Sequence, residues 1–174
     1  MKKFTYLFII LVINLNFTQL SAQTIAYANI DFIIQNSEIG KKIIIYYKKK
    51  NDDLIKLIKN EEKEIRQEEN ELYAQKNILE ANEFAKMLDS IKNKVNEFNK
   101  VNQEKIKNLN TKKDKTFNSL IIEIKKILNT YAQEKKIDMI LSSKQIIIGK
   151  ANFDVTEDIL KIVNEKVKKF DIEK

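Results

Sequence analysis

The residue types that usually carry enzyme chemistry are scarce in this sequence of 174 residues. It contains no His and no Cys, which excludes imidazole or thiolate nucleophiles, metal sites built from these side chains, and disulfides. Its two glycines, Gly40 and Gly149, each precede a Lys, as at the end of a phosphate-binding P-loop. In both places the first glycine of that motif is replaced, by Gln35 and by Lys144. The sequence therefore predicts no cofactor and no metal ion.

Two pairs of adjacent carboxylates, Glu61-Glu62 and Glu68-Glu69, are the remaining candidates for acid–base chemistry. Such pairs can act as general acid and base when the two groups are tuned to different pKa values. Both pairs lie in a charged stretch that favours helix, and Glu side chains on such a stretch are far more often a solvated face. We therefore expect that the protein is not an enzyme.

The composition favours long helices over a fold of many short elements. A third of the residues are charged, 43% are hydrophobic, and there is no Pro. The 32 Lys and Arg outnumber the 25 Asp and Glu, which gives a net charge of +7. A basic balance suits nucleic acid, an anionic membrane surface or acidic polypeptides. A general enrichment in Lys, Ile and Asn, as expected from AT-rich codon usage, explains the positive net charge equally well.

Residues 1–22 have the features of a secretory signal peptide. Lys2 and Lys3 precede an apolar stretch over residues 4–15, and Ala22 offers a small residue for cleavage before Gln23. The apolar stretch is shorter than the roughly 20 residues that a spanning helix requires, although an uncleaved anchor is the alternative. We expect cleavage near Ala22 and a mature chain in the periplasm, which argues against nucleic acid as a partner.

The mature chain is predicted to open with a strand and a short helix. Residues 24–29 alternate in character and are rich in β-formers, which predicts a strand. Residues 31–35 are typical of one or two helical turns, with Asn29 or Asp31 as the N-cap. Ser37 can cap the next helix, with Glu38 in its first turn.

A stretch of 108 residues, from Lys41 to Ile148, contains neither Gly nor Pro. Its apolar residues recur in alternating steps of three and four, the pattern of a coiled-coil seam. Seven seam positions are polar, which predicts a loosely packed seam: Lys50, Glu61, Glu68, Gln75, Asn102, Lys105 and Lys113. A hairpin with its turn between residues 80 and 90 would return the chain to the first strand, with two helices of about 70 Å each.

A β-hairpin and a capped helix are predicted after the long helices. Two apolar runs, residues 137–141 and 145–148, flank the polar tripeptide 142–144. Asp154 and Glu157 then have the spacing of a capping box. The apolar positions of the last helix share one face: Val155, Ile159, Ile162, Val163, Val167 and Phe170.

Together these elements predict a mostly helical α+β fold, in which a small β body carries a long antiparallel coiled-coil hairpin arm. Residues 42–133 form the arm, and residues 23–41 with 134–174 form the body. A body of about 60 residues without disulfides is marginal alone, and its hydrophobic strands leave an edge to be covered. We therefore expect a homotrimer with three helical tentacles.

This order of elements resembles that of the Skp/OmpH family of periplasmic chaperones. The resemblance is carried by IAYANID at residues 25–31, SEIGKK at 37–42, IDMIL at 137–141 and DVT at 154–156, with Asn164 further along. It covers essentially the whole mature chain, and it implies a homotrimer whose arms surround a cavity that holds unfolded outer-membrane proteins without ATP. Arm tips in the family are often strongly basic. Here residues 76–94 carry four Lys against three acids, and the Lys excess lies between Lys92 and Lys115.

A holdase of this kind must offer apolar surface to its client and release it without chemistry. On the arm we expect this surface to be one stripe of side chains: Phe84, Met87, Leu88, Ile91, Val95 and Phe98. The competing interpretation is that these residues pack inside the hairpin. The expected partners are unfolded outer-membrane β-barrel proteins, further copies of the chain and an anionic membrane surface. The alternative function is that of a structural coiled-coil adaptor or spacer in the periplasm.

Overall fold

The computed structural model describes residues 23–172, so the predicted signal peptide lies outside the described residues. In chain order its elements are the strand β1 (Ile25–Ala28), the helices α1 (Ile30–Asn36), α2 (Glu38–Ala74) and α3 (Ala81–Lys135), the strand β2 (Met139–Ser142) and the helix α4 (Thr156–Lys166). The predicted α+β class, mostly helical with a small strand pair, is confirmed. In this part of the chain no helix combines the length and the apolarity needed to cross a membrane.

The two strands form a small parallel sheet in which Ile25 lies opposite Met139. The residues that precede the two strands are also hydrogen-bonded to each other. Thr24 N donates to Asp138 Oδ2 at 2.7 Å, and Asp138 N donates to Thr24 O at 2.9 Å. Parallel neighbours need a long crossover connection. The helices α1, α2 and α3 together supply that connection, so the whole hairpin is inserted between two adjacent strands.

The hydrophobic core lies where the sheet and α4 pack against the first turns of α2 and the last turns of α3. Its buried side chains come from β1, all four helices and the residue before α4: Ala26, Ala28, Ile33, Ile39, Ile43, Tyr47, Leu120, Ile124, Tyr131, Val155, Ile159 and Val163. Side chains of the predicted body and of the predicted arm therefore share one core.

The helices α1 and α2 meet at Ser37, which is fully buried. Ser37 Oγ accepts from Gly40 N at 3.1 Å, as expected for the N-cap of α2. The side chain of Asn29 accepts from Phe32 N at 2.9 Å and caps α1. A Cβ atom at position 40 would lie 1.7 Å from Ile34 O. Gly40 is therefore required by the close approach of α1 and α2. This packing explains the glycine of the Gly40-Lys41 pair without a phosphate-binding role.

The turn of the helical hairpin lies at residues 75–80. The turn predicted from sequence, between residues 80 and 90, overlaps it only at Glu80, because residues 81–90 are helical. The prediction assumes that the start of α2 faces the end of α3. In the structure, Tyr47 Oη lies 2.8 Å from Thr116 Oγ1, and Asn102 Nδ2 lies 3.2 Å from Glu61 Oε2. This register places the start of α2 opposite residues near 125, and about ten further residues of α3 continue into the body. The predicted position of the turn was wrong because these last residues of α3 have no counterpart in α2.

The two long helices are correspondingly unequal. The helix α2 has 37 residues and α3 has 55. At 1.5 Å per residue their lengths are about 55 Å and about 80 Å. The prediction of two helices of equal length was therefore also wrong.

The β-hairpin predicted after the arm is not formed. Of residues 137–148, only 139–142 form a strand. Residues 143–145 form a 3-10 turn, and Ile147 and Ile148 are 98% and 92% exposed. The tripeptide at 142–144 lacks the Gly or Asn that a two-residue hairpin turn favours. The chain instead passes beside β1, where a Cβ atom at Gly149 would lie 2.7 Å from the ring of Tyr27. The sheet therefore has two strands within residues 23–172, not the three predicted.

The predicted capping box at the last helix is also replaced by other contacts. Asp154 Oδ1 accepts from Thr156 N at 2.9 Å, which is a local turn and not a bond to the third helical residue. Thr156 Oγ1 accepts from Asn29 N at 2.9 Å and so joins α4 to the start of α1. The predicted apolar face is confirmed, since Val155, Ile159 and Val163 are buried and the other three positions are partly buried against the core.

The junction of α3 with α4 supports a prediction on stability. Tyr131 Oη donates to Asp158 Oδ2 at 2.7 Å, and burial together with this bond raises the pKa of Tyr131 to about 12. In the unfolded chain a Tyr titrates near pH 10. The folded state therefore gains stability from the neutral phenol below about pH 10 and loses that contribution as the pH rises from about 10 to about 12.

We expect Tyr131→Phe to lower the free energy of unfolding by about 1 kcal/mol at pH 7. The variant should also show a weaker decrease in stability between about pH 10 and 12 than the parent protein. Urea unfolding followed by circular dichroism, at fixed protein concentration, measures both effects. Tyr73→Phe at the half-exposed hairpin tip is the control and should change the unfolding free energy by less than about 0.5 kcal/mol. Equal alkaline profiles for Tyr131→Phe and the parent protein would contradict this assignment.

Candidate functional site

The six apolar side chains predicted to bind a client lie in the first turns of α3, next to the hairpin tip. Five of them recur at steps of three or four and are half-buried: Phe84, Leu88, Ile91, Val95 and Phe98. Met87 lies off that stripe and is 41% exposed. The ring of Phe84 packs edge-on against Tyr73 of α2, with 5.9 Å between the ring centroids. The stripe thus contributes to packing within the hairpin at Phe84, and its role in client binding stays a prediction.

Other apolar side chains are exposed along both long helices, on faces that the seam pattern does not cover. They are Ile44, Ile45, Ile55 and Leu57 of α2 and Ile106 and Ile122 of α3. Each is more than 40% exposed, so each offers apolar area that a partner could remove from water. These residues lie outside the three- and four-residue steps of the seam, so the seam pattern does not predict them. Their signal is an apolar residue one or two positions from a seam position on an otherwise charged helix.

A polar layer interrupts the seam about halfway along the hairpin; it consists of Glu61, Asn102 and Lys105. Asn102 is only 5% exposed, and its Nδ2 donates to Glu61 Oε2 at 3.2 Å. Lys105 Nζ donates to Glu61 Oε1 at 3.3 Å. The Oδ1 atom of Asn102 is buried and has no hydrogen-bond partner among the described residues. All three residues belong to the polar seam positions identified from sequence, and the structure brings them together.

The polar layer favours one register of the two helices. A buried polar residue at a seam position costs stability, but it disfavours every register in which it would face an apolar side chain. Beside the layer, a cavity of about 350 Å³ is lined by Ile65 and Phe98 together with three Glu and two Lys. This cavity is open to solvent.

The paired carboxylates are engaged in structural contacts. Glu62 accepts a hydrogen bond from Arg66 one turn further along α2, and this bond raises the pKa of the guanidinium. Glu68 forms an ion pair with Lys94 across the hairpin. These exposed pairs contribute little stability individually. Among residues 23–172 no group of three or more His, Cys, Asp or Glu is placed to hold a metal ion.

Comparison with known proteins finds a family and solved structures that this chain is similar to. The sequence profile of the family described as "Outer membrane protein (OmpH-like)" matches residues 24–163. A crystal structure of a proposed outer membrane chaperone (OmpH-like) from Caulobacter crescentus CB15 superimposes with a TM-score of 0.79. The match covers 88% of this chain and 92% of that chain at 15% sequence identity, so it establishes a shared fold. No curated protein matches the chain.

The polar layer leads to a prediction on stability. We expect Asn102→Leu to raise the free energy of unfolding by about 1 kcal/mol, because an unpaired buried acceptor is replaced by apolar packing beside a cavity. Asn108→Leu, at an exposed position of the same helix, is the matched control and should change stability by less than about 0.5 kcal/mol. Urea titrations at one protein concentration compare the three proteins. A loss of stability in Asn102→Leu would show that the bond to Glu61 outweighs the unpaired oxygen.

Proposed function

This chain belongs to the OmpH-like family, and on that premise we propose that it is an ATP-independent holdase of the periplasm, which binds unfolded outer-membrane proteins between its helical arms and prevents their aggregation. The OmpH-like family is a chaperone family and not an enzyme family, which confirms the expectation that the chain is not an enzyme. The holding role, the client class and the periplasmic location are parts of the proposal.

The observation that carries the proposal is a long two-helix arm whose outer apolar side chains remain exposed. Ile45, Leu57 and Ile122 are between 46% and 67% exposed, on helices whose other side is already used by the seam. Burial of each against a client would contribute on the order of 25 cal/mol per Å². Many such contacts along one arm give avidity with rapid local exchange. A client could therefore be held firmly and still leave without ATP.

The proposal includes a homotrimer, because the apolar surface of the body needs a cover. Ile147 and Ile148 are almost fully exposed. Ile25 and Phe153, which line a pocket together with Ile148, and Met139, which lies opposite Ile25 in the sheet, are each more than 40% exposed. The sheet also ends after two strands within the described residues. A bridge between Tyr27 and Asp154 partly occupies the outer edge of β1, so the outer edge of β2 is the one available for pairing between copies. Association of the bodies of three copies would cover these groups and would place three arms around a common cavity. Contact of the protein with an anionic membrane surface stays a prediction.

The oligomeric state can be tested by mass. We expect sedimentation equilibrium of the chain from Gln23 onward to give three times the monomer mass at micromolar concentration. Ile147→Glu should shift the equilibrium towards monomer, because a charge in a desolvated contact is strongly disfavoured. Lys150→Glu, an exposed position next to the same segment, is the control. A folded monomer for the parent protein at this concentration would refute the trimer.

The holding activity can be tested by light scattering. A urea-denatured outer-membrane β-barrel protein is diluted into buffer with and without an equimolar amount of the trimer. We expect the chaperone to suppress most of the scattering without ATP, since its arms cover apolar segments of the client. A folded soluble protein should not bind under the same conditions. Unchanged aggregation at low salt, or binding restricted to one folded partner as expected of an adaptor or spacer, would end the proposal.

A further inference from the structure

The hairpin is divided into two halves of opposite charge. We define the base half as residues 41–60 with 105–125 and the tip half as residues 61–104; the polar layer lies at their boundary. The base half contains 13 Lys and 4 Asp or Glu, whereas the tip half contains 7 Lys or Arg and 11 Asp or Glu. Because Glu61 contacts Asn102 and Lys105 across the seam, the division in sequence is also a division in space.

The two halves act as separate electrostatic surfaces. The base half comprises about 20 helical residues on each helix, and the tip half comprises 14 residues of α2 and 24 of α3. At 1.5 Å per residue the helical segments are about 20 to 36 Å long. The Debye length at physiological salt is only about 8 Å, so the acidic tip half does not neutralise the field of the base half. An approaching polypeptide therefore meets a positive surface near the body and a negative one near the tip.

The base half also contains a groove that fits a side chain. It has a volume of about 380 Å³ and lies between α2 and α3. Its apolar lining comes from Ile44, Leu109 and Phe117, and Tyr47 lies underneath. Lys48 of α2 and Lys113 of α3 also line it, one from each wall. Both ammonium groups are exposed, and neither belongs to an ion pair found among the described residues.

The corresponding cavity in the tip half has the opposite chemistry. It is bounded by Glu61, Glu64 and Glu97, and its two Lys are paired with carboxylates. A client carboxylate there would face like charges with no free ammonium group beside it, which is unfavourable. The difference between the two cavities lies in charge more than in volume, because their volumes are about 350 and 380 Å³.

We infer that the groove of the base half is the docking site for acidic client segments that carry an apolar side chain, and that the tip half does not bind such segments. The apolar side chain would occupy the space between Ile44 and Phe117, while flanking carboxylates would approach Lys48 and Lys113. This inference rests on the proposed holding function. It places the first contact of acidic segments near the body and not at the stripe around Leu88.

The test uses two fluorescent unstructured peptides that differ only in charge, one with four Glu around two Phe and one with four Lys instead. Their binding to the full mature chain is followed by fluorescence anisotropy. The double variant Lys48→Glu/Lys113→Glu changes the base half. The matched control is Lys63→Glu/Lys92→Glu in the tip half, which changes the same number of charges at exposed positions, again one on each helix.

We expect the base-half variant to bind the acidic peptide about ten-fold or more weakly than the parent chain, since two attractive contacts become repulsive. The tip-half variant should differ by less than about two-fold, because its charges lie beyond the Debye length from the groove. Ile44→Ala, at a side chain that is 41% exposed, should weaken binding about three-fold through lost apolar contact while the helix persists. The Lys peptide should bind the parent chain more weakly than the Glu peptide.

Equal losses in the two charge variants would show an effect of net charge alone and would overturn the inference, as would unchanged binding in the base-half variant. Displacement of the peptide by anionic phospholipid vesicles at lower concentration than by unlabelled peptide would assign the groove to a membrane surface and would also overturn it. The same preparations are used in the light-scattering assay. Suppressed aggregation without the expected peptide pattern contradicts this inference alone, whereas unsuppressed aggregation contradicts the proposed function.

Discussion

The register of the two long helices is the constraint on which the remaining structure depends. The strands β1 and β2 are adjacent and parallel, and the hairpin is their connection, so a slip along the seam would displace β2 from its partner. The register is held where packing is tightest, at the fully buried Ile43, Leu120 and Ile124, and by the hydrogen bond between Tyr47 and Thr116. Further along the arm, the polar layer opposes a slip because the hydrogen bond between Asn102 and Glu61 would be broken.

Packing loosens from the body towards the tip, and this gradient separates stability from binding. The base of the hairpin shares its core with the sheet and α4, whereas above the polar layer Ile65 and Leu72 are the only buried seam positions among the described residues. A fully sealed coiled coil would have no apolar surface left for a client, and a fully open one would not hold its own shape. The exposed side chains of Ile45, Leu57 and Ile122 resolve this conflict, because they lie outside the three- and four-residue steps of the seam.

Charge is distributed along the arm as unevenly as packing. The basic excess predicted from sequence between Lys92 and Lys115 is only part of a larger pattern, since the Lys residues around Lys48 on α2 lie at the same level of the hairpin as those around Lys113 on α3. Screening limits each field to its own half, so the arm presents two surfaces and not one average. Net charge alone therefore describes this protein poorly.

Elements with local signals can be predicted from the amino-acid sequence. The strand β1, the caps at Asn29 and Ser37, the two long helices and the apolar face of α4 follow from alternation, capping chemistry and three- and four-residue steps, and all of them are confirmed. Tertiary contacts determine how far α3 extends past α2, and therefore that the turn lies at residues 75–80. They also determine that residues 145–148 pass beside Tyr27 and do not form a strand. The same holds for the polar seam positions that meet at Glu61 and Asn102, and for the charges that share one level of the arm. The physical reason is that periodicity reports which face of a helix is apolar, whereas the offset between two helices is determined by contacts between residues far apart in the chain.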